Sequence, residues 1–200
     1  MKRKHSVAWL FAVLVMLQTA LCVAQTPVDA PQTPVGTAQT VMEGFGICLD
    51  GSREYVTKKE FAGATLKLLG VTDMGEIDAM RILTEAGIFP EEDSFAENAD
   101  VQYKTVIKTA VNALGYGQRA RAQGYAYTAA DLKLGFSHSE TDYITPADCY
   151  QLFFNMIDIR CMLVYSFDNG ARHYKAAGAG TILNLYLKGF HVKGVVQADE

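Results

Sequence analysis

The sequence predicts a mainly α-helical protein of helix-loop-helix repeats packed as a pseudo-symmetric bundle, followed by a short β-containing C-terminal tail. Two observations carry this prediction. Apolar residues recur at helical spacing between Thr57 and Ile159, with capping residues before the apolar stretches and glycines after them. Three longer helical segments also align with one another at spacings of 45 and 43 residues, a period typical of repeated supersecondary units. Strands are expected in the tail, and residues 41–55 are left open.

The N-terminus has the three-part layout of a secretory signal peptide over residues 1–24. A basic start, MKRKHS, precedes an apolar stretch of 18 residues, Val7 to Ala24, which ends in small residues that suit signal peptidase. A retained anchor helix is the alternative, because an apolar stretch of this length nearly spans a bilayer. The full chain has a formal net charge of −4, and cleavage would leave −7. Both values argue against nucleic acid as a partner.

The rest of the chain divides into three parts by composition. Residues 25–40 hold three prolines and a single charged residue, Asp29, and are predicted to be a linker that forms no core. Residues 41–162 carry the helical repeats. Residues 163–200 form the β-containing tail, which is expected to fold back on the helices or to open a further domain.

Local signals place the ends of the predicted helices. Thr57 and Glu60 form a capping box, and residues 73–76 (Asp-Met-Gly-Glu) form a second one. Thr145 is the predicted cap of the last long helix, with Pro146 at its first position. The glycines expected to end helices are Gly70, Gly87, Gly115 and Gly135.

The three long helices share equivalent positions when they are aligned. The residues that precede the caps are Val56, Val101 and Ile144. Because a single helix pair of this size does not fold alone, we expect the apolar faces to meet in one core. The residues expected there are Phe61, Leu68, Leu69, Val106, Val111, Leu114, Leu152, Phe153 and Met156.

Catalytic and metal-binding patterns are weak in this sequence. Signal cleavage would leave Cys48, Cys149 and Cys161, an odd number without CxxC or histidine spacing, which argues against a disulfide framework and a zinc site. Cys149 lies on an apolar helical face and is predicted to be a buried hydrophobe. No catalytic or cofactor-binding motif is present, so no cofactor is expected and the protein is not predicted to be an enzyme.

The repeats resemble S-layer homology modules over about residues 50–162. Glu85–Ile88 resembles the end of the family's short helix, Ser94–Val101 runs in register with its signature loop, and Ala113–Tyr116 matches the end of its long helix. Val56–Phe61 and Ile144–Asp148 are both similar to the family's ITRAEF motif.

The resemblance implies a role at the bacterial cell surface. S-layer homology modules attach exported proteins to a cell-wall polysaccharide, often a pyruvylated one, and the arginine of ITRAEF supplies a contact to the anionic sugar. That position holds Lys58, Tyr103 and Pro146 here. Lys58 is therefore the first candidate ligand residue, and Lys58→Ala is expected to weaken wall binding without changing the melting temperature. The alternative is a solvated lysine in the first helical turn.

A second candidate groove follows the long middle helix. Arg119 and Arg121 stand close in sequence to Tyr116, Tyr125 and Tyr127, and the arginines together with Tyr125 are predicted to line a sugar site in a loop. The alternative is that the tyrosines pack at the joints between modules, with their hydroxyls in water.

Three function classes stay open. The first is a non-catalytic module that attaches an exported protein to the cell wall through a polysaccharide. The second is a structural or protein-interaction module of the cell surface with a degenerate sugar site, with the predicted tail strand Phe190–Gln197 as a contact edge for other surface proteins. The third and weakest is an enzyme subunit.

Overall fold

The computed structural model describes residues 35–71, 78–135, 138–166, 173–176 and 180–187. All of them belong to one compact unit, residues 32–200. The α-helices in these ranges are α1 (Val35–Gly44), α2 (Lys58–Leu68), α3 (Ala79–Glu85), α4 (Tyr103–Ala113), α5 (Gly117–Gln123), α6 (Tyr125–Asp131), α7 (Pro146–Ile157) and α8 (Ile182–Leu185). A 3-10 helix spans Glu91–Asp93, and the strands are β1 (Leu163–Ser166) and β2 (His173–Ala176).

The mainly α-helical fold with a short β element is confirmed. Helix α1 packs on α7, α2 packs on α3, and α4 packs on α5 and α6, while α8 contacts α7. β1 and β2 form an antiparallel pair in which Leu163 faces Ala176 and Ser166 faces His173.

One hydrophobic core joins the three long helices, α2, α4 and α7. All nine residues predicted for the core are buried and belong to a single cluster. The rings of Phe61 and Phe153 stack across it with centroids 5.8 Å apart. Cys149 is fully buried, as its place on the apolar face of α7 predicts.

The residues that precede the three long helices are joined in a ring of backbone hydrogen bonds. The Val56 amide donates to the Ile144 carbonyl (3.0 Å), the Ile144 amide to the Val101 carbonyl (3.2 Å), and the Val101 amide to the Val56 carbonyl (2.9 Å). Each residue therefore donates once and accepts once. These are the three positions that the sequence alignment placed in register.

The predicted N-caps of α2 and α7 are confirmed. The Thr57 hydroxyl accepts from the Glu60 amide and the Thr145 hydroxyl from the Asp148 amide, with Pro146 in the first turn. The Glu60 carboxylate does not return to Thr57, because it accepts from the Asp50 amide instead. The predicted second capping box, residues 73–76, lies outside the described residues.

One expectation about the N-terminal part of the fold is wrong, and one point that the sequence left open is decided. Residues 35–40 were assigned to the linker, but they belong to α1, in which Ala38 and Met42 are fully buried. The described structure of residues 41–55 contains the end of α1 and turns, with no strand. The folded unit thus begins at or before Val35.

Predictions for the two ends of the chain are met only where residues are described. β1 confirms that the tail contains a strand, whereas the predicted strand Phe190–Gln197 and the signal peptide of residues 1–24 lie outside the described residues. Among the residues that are described, no helix has both the length and the apolar character needed to cross a membrane.

A pair of glycine substitutions tests how closely the chain packs after α4. Gly115 and Gly87 both have left-handed backbones, with φ of +84° and +71°. A Cβ on Gly115 would lie 2.9 Å from the Leu163 Cβ and nearer still to the Leu163 backbone nitrogen, whereas a Cβ on Gly87 meets nothing within 4 Å. Gly87→Ala should therefore cost about 1–2 kcal/mol of unfolding free energy from backbone conformation alone, and Gly115→Ala clearly more. Equal losses in urea unfolding would contradict this packing.

Candidate functional site

Lys58 lies in the first turn of α2 and is half-buried. Its ammonium donates to the carbonyl oxygen of Asp93 (2.9 Å), the last residue of the 3-10 helix, and to that of Phe95 (3.1 Å), in the loop that follows. Two main-chain carbonyls therefore already bind the cation that the sequence assigned to a sugar carboxylate. Its role in binding a ligand stays a prediction.

The two arginines of the second candidate groove lie on a helix. Residues 117–123 form α5, so the expectation of a loop is wrong. The Arg119 guanidinium pairs with the Asp131 carboxylate of α6 at 2.8 Å and donates to the Gln123 side chain at 2.9 Å. Arg121 is exposed and forms no ion pair with any described residue.

Two of the three tyrosines near α5 bond to neighbouring segments through their hydroxyls, which the alternative from sequence expected to lie in water. The Tyr125 hydroxyl donates to the Asn112 side chain of α4 (3.2 Å), and the Tyr116 hydroxyl to the Arg160 carbonyl (3.0 Å). Tyr127 is 60% exposed. Across the described ranges, no hydrogen bond or ion pair links Lys58 with Arg119, Arg121 or Tyr125, which the sequence assigned to a second, separate groove.

A cavity of about 440 Å³ lies between α3 and the loop of residues 94–97. We call it the α3 cavity. The lining residues that matter for its chemistry are Asp78, Arg81, Thr84, Glu85, Phe95 and Glu97. The Phe95 side chain is 73% exposed, the largest exposure among the large apolar residues described.

The polar groups of the α3 cavity are partly engaged with one another. The Arg81 guanidinium lies 2.9 Å from the Glu85 carboxylate and 3.9 Å from that of Asp78. Glu97 lies 3.6 Å from the ammonium of Lys59. The Thr84 hydroxyl is buried and has no hydrogen-bond partner among the described residues.

The 94–97 loop is held from several directions. Besides the two bonds from Lys58, the Lys59 amide donates to the Glu97 carbonyl and the Ala99 amide to the Ala96 carbonyl, both at 2.9 Å. Ala96 adopts a left-handed backbone with φ of 55°, which is unusual for a residue with a side chain. Phe95 is thus presented by a loop whose main chain is fixed on both sides.

The equivalent junction between α4 and α7 has different chemistry. Tyr103 occupies the Lys58 position and His138 the Phe95 position, and their rings meet edge to face with centroids 5.5 Å apart. Burial raises the pKa of Tyr103 to about 12. His138 also lies 3.7 Å from the Asp148 carboxylate. His138 is also exposed, at 36% of its side chain, but its ring contacts Tyr103, and it is less exposed than Phe95 at 73%.

The two buried thiols, Cys149 and Cys161, lack the surroundings of nucleophiles. Burial raises the pKa of Cys149 well above its ordinary value and that of Cys161 to about 11, whereas reactive cysteines have lowered pKa values. Cys48 is exposed. In the described residues, no group of three or more His, Cys, Asp or Glu side chains could hold a metal ion.

Sequence reasoning missed the α3 cavity although it noted some of its residues. Phe95 was recognised as part of a signature loop, but nothing in the sequence shows that its ring stays exposed. Thr84 and Arg81 lie on a short helix whose facing loop is ten residues further on. The one usable signal was that the helix end Glu85–Ile88 and the signature loop Ser94–Val101 stand within about ten residues of each other.

Comparisons with protein-family models, with curated proteins and with solved structures give no match to this chain. The resemblance to S-layer homology modules therefore stays a prediction from the quoted motifs.

The contacts of Lys58 change what its removal is expected to do. Lys58→Ala removes two charge-assisted hydrogen bonds to a loop, which should lower the unfolding free energy by about 1–3 kcal/mol. Lys59→Ala is the matched control, because its ion pair with Glu97 is exposed and worth at most about 1 kcal/mol. Thermal melting of both variants makes the comparison. An unchanged melting temperature for Lys58→Ala would restore the expectation from sequence.

Thiol labelling tests the burial of the cysteines. Alkylation of the native protein at pH 8 should modify Cys48 first, and leave Cys149 and Cys161 unmodified until denaturant is added. Raised pKa values keep the buried thiols protonated at pH 8, so the slow labelling of Cys161 should keep rising with pH and level off only near pH 11. Peptide mass mapping identifies the modified residue. Rapid labelling of Cys149 at pH 8 would contradict the packing of α7.

Proposed function

We propose that this protein is a non-catalytic module of the bacterial cell surface that attaches an exported protein to the cell wall by binding a polysaccharide. The observation that carries the proposal is the α3 cavity with the exposed ring of Phe95 on its wall. Phe95 is the residue that the resemblance to S-layer homology modules places in the signature loop. Concave sites with an aromatic side chain and a few polar groups are typical of small-ligand binding.

The chemistry of the described residues supports a binding role over a catalytic one. The two buried thiols are held protonated by burial, and the carboxylates around the cavity are paired with Arg81 or Lys59. A general acid or base needs a group that is poised to exchange a proton near the working pH. The cavity offers hydrogen-bonding and stacking groups instead.

The second candidate function is a structural or protein-interaction module of the cell surface. One observation favours it. Two of the three cations predicted to bind the sugar already bond to groups of this chain: Lys58 to two carbonyls and Arg119 to the Asp131 carboxylate. A degenerate sugar site of this kind leaves the helical scaffold intact. Under this function, the large apolar residues that remain exposed, such as Tyr127 and Met162, are available for protein contacts.

Retention on purified cell-wall sacculi separates the two functions. The full chain, recovered after export from a bacterial host, is incubated with sacculi that carry their attached polysaccharide and with sacculi from which it has been removed. Polysaccharide binding predicts retention on the first and loss of retention on the second.

Two outcomes of this experiment count against the proposal. Equal retention on both kinds of sacculi would indicate binding to peptidoglycan or to a wall protein. No retention at low salt would remove the wall-binding function and leave the protein-interaction module. Thermal melting of the recovered protein provides the control that it is folded.

A further inference from the structure

We draw no further inference here: the strongest candidate, the side-chain cluster of His138 with Asp142 and Asp148 beside the start of α7, lies at the surface with its imidazole 4.0 Å and 3.7 Å from the two carboxylates, an ordinary surface arrangement that identifies neither a ligand nor a partner.

Discussion

The ring of hydrogen bonds among Val56, Val101 and Ile144 is the constraint on which the rest of the structure depends. All three residues are buried, with at most 1% of their surface exposed. An unpaired backbone group at such a place costs free energy comparable to a lost hydrogen bond. Each of the three residues donates one backbone hydrogen bond and accepts another, so the starts of the three long helices are fixed relative to one another.

The backbone hydrogen bonds beside this ring differ among the three junctions between the long helices. The Lys58 amide donates to the Ala99 carbonyl (2.9 Å) and the Tyr103 amide to the Asp142 carbonyl (2.7 Å), at equivalent positions. Pro146 has no amide hydrogen, so the third junction lacks this bond. There the rings of Tyr55 and Tyr143 meet instead, with centroids 5.6 Å apart. The three aligned junctions therefore differ in their contacts: a tethered loop at the first, the Tyr103–His138 ring contact at the second, and the Tyr55–Tyr143 ring contact at the third.

The sequence predicted the parts of the fold that local chemistry determines. Caps at Thr57 and Thr145 and the apolar spacing of α2, α4 and α7 are sufficient to locate those helices, because caps and periodicity act within a few residues. α1 and α5 were not predicted. The apolar residues of α1 that become fully buried, Ala38 and Met42, are too few to give a clear periodicity, and α5 is a short polar helix. Their stability comes from packing on α7 and on α4 and α6, which tertiary structure alone supplies.

The candidate site shows why the roles of exposed polar residues are harder to predict from sequence than the burial of core residues. A lysine in a first helical turn has the same sequence signal whether it meets a ligand or a carbonyl, and Lys58 meets the carbonyls of Asp93 and Phe95. In the structure this cation tethers the chain on either side of Ser94. The bonds that keep this loop ordered also hold Phe95 at the α3 cavity, so the stability of the loop and the shape of the cavity wall depend on the same contacts.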